Sequence, residues 1–128
     1  MRLNQITIPV SDIPRSRDFY AKLGFRLLVD SPHYSRFLAP EGDTTFSLSA
    51  SVDPIIPGAV IYLESDTLDD EVGRLKALGF TFDTEPEDMS YLWREAKLRD
   101  PDGHLIKLYH AGENRIDPPW RVKAQPGS

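Results

Sequence analysis

The sequence contains no cysteine, no long apolar run and no excess of basic residues. Without cysteine the chain has no disulfide bond, no thiolate ligand for a metal and no cysteine nucleophile. Its formal net charge of -5 argues against a nucleic-acid partner, because no basic stripe is present to neutralise phosphates. No segment has the character of a membrane span or of a signal peptide. We therefore expect a cytoplasmic protein that contacts neither nucleic acids nor membranes.

What remains is the composition of an ordinary globular protein. Hydrophobic residues make up 40% of the chain and charged residues 27%. A chain of 128 residues is long enough for one domain with its own core.

An internal repeat is the most informative feature that is present. Residues 6–25 align without a gap on residues 61–80, and both copies read as an alternating strand, an acidic turn, an amphipathic helix and a Leu-Gly-Phe stop. Farther along, residues 40–42 match residues 101–103. A repeat of this length predicts two equivalent modules that share a site where they meet.

Each copy predicts one helix and four strands. The first helix follows Ser11-Asp12 and ends at Gly24, and the second follows residues 65–67 and ends at Gly79. Residues 85–88 are expected to form a surface loop. The predicted strands are residues 5–10, 25–29, 34–39, 44–50, 60–64, 80–82, 91–98 and 105–110.

These elements predict an α+β fold of two tandem βαβββ modules, whose strands form a curled mixed sheet around a shared cleft with the helices outside. We place the first module at residues 1–52, a linker at 53–58 and the second module at 59–112, all within one domain. Residues 113–128 are expected to form an irregular tail.

The parity of each strand assigns its side chains to one of two faces. The residues expected to pack under the helices are Ile6, Ile8, Phe46, Leu48, Ile61, Leu63, Ile106 and Leu108. The residues predicted to bind a ligand on the opposite face are Gln5, Thr7, Ser47, Ser49, Tyr62, Glu64, Trp93, Lys107 and Tyr109.

Lys107 and the aromatic residues each have two interpretations. Lys107 either anchors a carboxylate, phosphate or sulfonate, or pairs with Glu64 or extends to the cleft rim. The aromatic side chains either form walls for a flat ligand or serve only to pack the sheet. These aromatic residues are Tyr62, Tyr91, Trp93 and Tyr109.

Several motifs resemble the glyoxalase/bleomycin-resistance/dioxygenase family, also called the vicinal-oxygen-chelate superfamily. The motifs are residues 6–12, 17–20 and 23–25 in the first module and residues 75–79 and 99–104 in the second. The resemblance covers residues 1–112 and implies the paired-module fold and a homodimer. It does not specify an activity, because the family includes lyases, epimerases, dioxygenases, thiol transferases and drug-sequestering binders.

The resemblance also implies four positions for ligands of a divalent metal, which fall on Gln5, Ser47, Val60 and Lys107. Val60 has no donor atom, Ser47 is a weak ligand and Lys107 places a positive charge where a cation would lie. The sequence therefore predicts neither a metal nor another cofactor. The three histidines are expected at exposed or edge positions: His33, His104 and His110.

We expect a metal-free protein that binds a small aromatic or anionic molecule, as the antibiotic-sequestering family members do. The alternative is a metal-dependent lyase or dioxygenase with its ligands at other positions. A metal-free enzyme that uses Lys107 with Tyr62 or Glu64 as acid and base is a third hypothesis, and a structural dimer module is a fourth.

Overall fold

The computed structural model describes residues 1–123, which form two four-stranded mixed sheets, two α-helices and one short 3-10 helix. The first sheet has the order β1-β4-β3-β2 and the second has the order β5-β8-β7-β6. The first module contains β1 (Gln5–Val10), α1 (Ile13–Leu23), β2 (Arg26–Ser31), β3 (Tyr34–Leu38) and β4 (Thr45–Ala50). The second contains β5 (Val60–Glu64), α2 (Leu68–Ala77), β6 (Phe82–Asp88), β7 (Arg94–Arg99), β8 (Leu105–His110) and the 3-10 helix (Gly112–Arg115).

The predicted α+β class and the two βαβββ modules are confirmed by this order of elements. Contacts divide the chain into two compact units. The first comprises Met1–Val60 with Arg99–Leu105, and the second comprises Ile61–Leu98 with the described residues from Ile106 onward. The predicted module boundaries and the shared cleft stay predictions. Within the described chain, no helix is long and apolar enough to cross a membrane.

In the first unit, α1 begins and ends where its capping residues predict. The Asp12 carboxylate accepts a hydrogen bond from the Arg15 backbone N–H at 2.9 Å, which satisfies one free donor of the first turn. At the other end Gly24 has φ +122°, a conformation that favours glycine. The buried face of the helix packs on β3 and β4 through residues at helical spacing: Ile13, Ser16, Tyr20 and Leu23.

Tyr20 lies at the centre of the first core and is fully buried. Its ring contacts the rings of Phe25, Phe37 and Phe46. Its hydroxyl donates to an Asp100 carboxylate oxygen at 2.7 Å, so the buried polar group has a partner. Burial, and then the charge of Asp100, raise the pKa of Tyr20 far above its ordinary value.

The predicted alternation of buried and exposed side chains along the strands is confirmed in part. Ile8, Phe46, Leu48, Ile106 and Leu108 are buried, as predicted. The prediction for Ile6 is wrong, because 48% of this residue is exposed. Ile6 lies near the exposed start of β1, whereas Ile8 and Val10 farther along the same strand are buried. Ile61 and Leu63 are only half-buried.

The second unit differs from the predicted elements in three places. Residues 85–88, predicted to be a loop, lie in β6, where Pro86 is tolerated because β6 is an edge strand. β7 begins only at Arg94, so Tyr91 and Trp93 lie in the preceding turn, in which Leu92 has φ +68°. The tail predicted to be irregular contains a 3-10 helix, and residues 124–128 of that prediction lie outside the described residues.

Candidate functional site

The second sheet presents aromatic and charged side chains on the face opposite its buried aliphatic residues. Along β8, Lys107 and Tyr109 alternate with the buried residues Ile106 and Leu108. β5, next to β8, contributes Tyr62 with 48% of its surface exposed. Three of the predicted site residues therefore share one face of one sheet.

The aromatic residues of this face form a continuous cluster, which we call the aromatic face: Tyr62, Tyr91, Trp93 and Tyr109. Trp93 and Tyr109 are stacked, with ring centroids 4.6 Å apart and an interplanar angle of 19°. The Tyr62 ring stands edge-on to both, at 6.1 Å from Trp93 and 5.7 Å from Tyr109. Trp93 is fixed by a hydrogen bond from its indole N–H to the Asn114 carbonyl at 3.2 Å. This hydrogen bond thus fixes the stacked pair, whereas about half of the Tyr62 surface remains exposed to solvent.

Lys107 pairs with Glu95, a residue that is not among the predicted site residues. Its Nζ lies 3.5 Å from Glu95 Oε2 and 5.5 Å from the centre of the Tyr62 ring. The predicted alternative pairing with Glu64 is therefore wrong. Glu95 lies on β7 at the same parity as Lys97, so strand alternation would have placed it on this face.

Glu95 is a buried carboxylate, with only 1% of the residue exposed. The Tyr91 hydroxyl donates to Oε1, and the Lys97 ammonium lies 4.0 Å from Oε2. Oε2 accepts no hydrogen bond from any described residue. Burial, and then the hydrogen bond to Glu95, raise the pKa of Tyr91 to about 12.

Glu64 binds the chain that follows β8. Its Oε2 accepts hydrogen bonds from the backbone N–H groups of Ala111 at 2.7 Å and Gly112 at 3.0 Å, and its Oε1 lies 3.6 Å from Arg115 Nε. Burial acts to raise the pKa of Glu64, but these hydrogen bonds and the charges of Arg115 and His110 outweigh it and lower the pKa. Its predicted contact with a ligand stays a prediction, and both oxygens already have partners in the chain.

The first sheet places its predicted site residues in rows across three strands. Thr7 on β1 pairs with Ser47 on β4, and Ser47 pairs with Arg36 on β3. In the next row Ser49 pairs with Tyr34. Since directly opposed residues of a sheet point to the same face, these polar side chains lie together. We call them the first-sheet face: Thr7, Tyr34, Arg36, Ser47 and Ser49.

Tyr34 and Arg36 organise the first-sheet face, although neither is among the predicted site residues. The Tyr34 hydroxyl lies 2.7 Å from Ser47 Oγ and accepts a hydrogen bond from Arg36 Nε at 2.9 Å. The hydrogen bond from Ser47 lowers the pKa of Tyr34, and those from Arg36 and Gln5 lower it further against the opposing effect of burial. Ser47 is fully buried, whereas Thr7 and Ser49 are exposed. Tyr34 and Arg36 have the same parity within the strand predicted at residues 34–39, and this alternation was the signal that would have identified both.

The four positions that the family resemblance assigns to metal ligands do not fit a divalent cation. Gln5 Oε1 accepts a hydrogen bond from Thr45 at 2.9 Å, and Ser47 is bonded to Tyr34. Val60 has no donor atom, and Lys107 supplies an ammonium that pairs with a carboxylate. A dication needs carboxylate or imidazole ligands at such positions. Among residues 1–123, no three His, Cys, Asp or Glu side chains are grouped as they would be around a metal ion.

The prediction of an exposed or edge position is wrong for His104, of which only 1% is exposed. Its Nε2 lies 2.8 Å from the Pro9 carbonyl oxygen, and its backbone N–H donates to Asp100 Oδ1 at 2.9 Å. The turn containing His104 belongs to the first unit, which buries the ring. His33 and His110 are exposed, as predicted.

Proteins of different function share this architecture. TnmS3, an antibiotic binding protein from Streptomyces sp. CB03234, is 29% identical to the chain, with a TM-score of 0.73 and an alignment covering 87% of this chain and 96% of that protein. A bleomycin-binding protein complexed with bleomycin is 23% identical, with a TM-score of 0.69 and coverage of 86% and 98%. A lactoylglutathione lyase from Agrobacterium tumefaciens is 14% identical, with a TM-score of 0.72 and coverage of 85% and 92%. The last two show the fold alone, and a comparison with curated proteins found no match.

The sequence itself matches one family model over most of its length. The model describes the Glyoxalase/Bleomycin resistance protein/Dioxygenase superfamily and matches residues 2–108. This match agrees with the two βαβββ modules and with the solved structures of the same fold. The chain belongs to the glyoxalase/bleomycin resistance protein/dioxygenase superfamily.

Proposed function

We propose that this protein binds a small, flat aromatic molecule on the aromatic face of its second sheet, and does so without a metal ion. The observation that carries the proposal is the exposed Tyr62 ring beside the stacked pair of Trp93 and Tyr109. Aromatic rings supply large apolar contact areas, and a well-placed ring pair contributes about 0.5–1.5 kcal/mol beyond burial of its area. A planar ligand that packs against Tyr62 gains free energy both from the buried apolar area and from the pairing of the two rings.

Lys107 supports the same proposal by supplying a polar group at the edge of the aromatic surface. Its ammonium carries three N–H groups, of which Glu95 occupies one direction. The ammonium lies 5.5 Å from the centre of the Tyr62 ring, so a ligand packed on this ring would bring a carbonyl, phenol or carboxylate oxygen close to it. Glu95 and the Tyr62 ring together position this ammonium, so its contribution depends on both neighbours.

The metal-free part of the proposal rests on the chemistry of the residues at the family's ligand positions. Lys107 puts a cation at one of them, and Gln5 and Ser47 are engaged in hydrogen bonds within the chain. Relatives that bind bleomycin or another antibiotic offer a precedent for binding on this fold. The proposal assigns binding and no reaction. We further expect a cytoplasmic homodimer, as the family resemblance implies.

The test uses Trp93 as the reporter of binding. Because the chain has two tryptophans, the Trp120→Phe variant leaves Trp93 as the single tryptophan. We expect a saturable change in Trp93 fluorescence when the EDTA-treated variant is titrated with bleomycin or with planar aromatic antibiotics. In the same background Tyr62→Ala should weaken binding by about tenfold, from the loss of ring contact. The matched control is Leu78→Ala on the surface after α2, which should leave the affinity unchanged.

Two results would contradict the proposal. One is binding that disappears on EDTA treatment and returns with a stoichiometric divalent metal. The other is a Tyr62→Ala variant that binds as tightly as the control.

A further inference from the structure

Arg36 differs from most arginines of this protein because no acidic side chain among residues 1–123 pairs with it. Its guanidinium contacts Tyr34 in two ways: Nε donates a hydrogen bond to the hydroxyl, and the guanidinium carbon lies 5.4 Å from the ring centre. The arginines that do pair with a carboxylate are Arg2, Arg15, Arg17, Arg74, Arg94, Arg115 and Arg121.

The guanidinium of Arg36 is held in one orientation before any ligand arrives. Its Nε donates to the Tyr34 hydroxyl, which is itself hydrogen-bonded to the fully buried Ser47. A chain of two hydrogen bonds thus connects the cation to the sheet. A preorganised group loses little conformational entropy on binding, which increases the affinity that its contacts deliver.

The use of Nε leaves the two terminal nitrogens of Arg36 with their N–H groups. Two parallel N–H donors match the two oxygens of a carboxylate, and such charge-assisted pairs are about twice as strong as neutral hydrogen bonds. Arg36 is only half-buried, so its outer edge is accessible. The exposed hydroxyls of Thr7, in the same row as Arg36, and of Ser49, in the next row, lie on the same face.

The charges around Arg36 favour an anion with a single negative charge. The neighbouring residues of the first-sheet face are neutral. The Asp30 carboxylate accepts a hydrogen bond from Ser35, whose side chain points to the opposite face, and pairs with Arg17. One guanidinium balances one negative charge, whereas a phosphate dianion would retain an unpaired charge against a half-buried surface.

We propose that the first-sheet face binds the carboxylate of a small organic molecule through the terminal nitrogens of Arg36, with Tyr34 as the residue that positions the guanidinium. This proposal does not depend on the function proposed for the aromatic face. The site lies entirely within the first unit.

The test is an NMR titration of the intact protein with acetate, with chloride added at equal ionic strength as the reference. Acetate presents a carboxylate without a ring, so the aromatic face does not contribute. We expect a saturable shift of the Arg36 Nε–H signal and of the backbone amides of Thr7 and Ser49, with no such shift in chloride.

Variants then separate the role of each group. Arg36→Gln should abolish the saturable shift, and Arg36→Lys should weaken binding by roughly five- to tenfold, because an ammonium lacks the two-pronged geometry. Tyr34→Phe keeps the charge but removes the acceptor for Nε, and should weaken binding by about threefold. Arg2→Gln removes an equal charge at a site where the side chain is 77% exposed, and should change nothing.

The proposal is overturned if chloride reproduces the shifts or if Arg36→Lys binds acetate as tightly as the unmodified protein. Equal losses in Arg2→Gln and Arg36→Gln would also overturn it, because they would indicate attraction by overall charge alone. If Arg36→Gln disrupts the fold, Arg36→Lys decides the question.

Discussion

In the second sheet, the buried carboxylate of Glu95 lies beside the ammonium of Lys107. Glu95 is surrounded by the ammonium groups of Lys107 and Lys97 and by the Tyr91 hydroxyl. A buried carboxylate is stable only when positive charge and hydrogen bonds replace water, and these three neighbours do so. Glu95 thus balances the charge of Lys107, whose ammonium also lies within attractive cation–π distance of the Tyr62 ring.

The ionisation of Tyr91 tests this arrangement. Burial and the hydrogen bond to Glu95 raise its pKa to about 12, so the phenol stays protonated through the alkaline range in which an ordinary tyrosine ionises. A raised pKa stabilises the folded state fully below the unfolded pKa of about 10. This contribution is lost as the pH rises toward 12. Ultraviolet titration of the protein, with Tyr91→Phe subtracted, should report the high value.

Glu95→Gln provides the contrast for that measurement. The amide carries no charge, so the pKa of Tyr91 should fall toward its ordinary value. The matched control is Glu85→Gln, a change to a carboxylate of the same unit whose side chain is 72% exposed, which should leave the Tyr91 titration nearly unchanged. A Tyr91 that ionises near 10 in the unmodified protein would contradict the hydrogen bond to Glu95.

At the level of elements, the carboxylate of Glu64 binds the segment that connects β8 to the 3-10 helix. Glu64, the last residue of β5, binds the backbone N–H groups of Ala111 and Gly112 at the point where β8 passes into the 3-10 helix. These N–H groups precede or begin the helix and have no carbonyl partner within it. The carboxylate therefore replaces the missing acceptor and joins β5 to the segment after β8.

Replacement of Glu64 by glutamine should destabilise this junction by about 1 kcal/mol, because the amide is a weaker acceptor and lacks the attraction to Arg115. Since the folded pKa of Glu64 is lowered, its stabilising effect is present above the unfolded pKa and is lost as the pH falls through the folded value. The difference in stability between the two proteins should therefore shrink below about pH 4.

Urea denaturation at several pH values measures this effect, followed in parallel by hydrogen exchange of the Ala111 and Gly112 amides. Glu113→Gln alters an exposed carboxylate in the adjacent 3-10 helix and serves as the control, with an expected change near zero. Faster exchange of both amides in the control as well would show that charge in this region, rather than the Glu64 hydrogen bonds, protects them.

Across the whole molecule, the division into units does not follow the order of the chain. The Arg99–Leu105 segment runs from the last residue of β7 to the first residue of β8, yet its contacts place it in the first unit. Asp100 within this segment accepts the hydrogen bond of Tyr20, and His104 contacts the Pro9 carbonyl. A segment from the second sequence repeat therefore completes the core of the first unit.

Tyr20→Phe should destabilise the first unit by about 1–3 kcal/mol, because it removes one hydrogen bond and leaves the buried Asp100 oxygen without that donor. Tyr62→Phe makes the same chemical change at a ring that is 48% exposed, and should alter the free energy of unfolding by less than about 0.5 kcal/mol. Chemical denaturation compares the two variants. Equal losses would mean that the Asp100 contact contributes little to the fold.

Local patterns in the sequence predicted the elements that depend on neighbouring residues. The caps Asp12 and Gly24 bound α1, and alternation placed Lys107 and Tyr109 on the face opposite Ile106 and Leu108. These predictions succeed because capping and alternation depend on residues only a few positions apart. The same patterns misplaced the start of β7 and assigned residues 85–88 to a loop, since pairing with neighbouring strands decides how far a strand extends.

The amino-acid order alone established the repeat, the family and the chemistry of the side chains on each sheet face. The tertiary structure decided which side chains interact. Lys107 pairs with Glu95 rather than Glu64, Tyr34 bonds Ser47 and Arg36, and Tyr20 bonds Asp100. Residue spacing encodes which face a side chain takes. Which charge or hydroxyl it meets there depends on register, burial and chain segments distant in sequence, and these arise only when the sheets assemble.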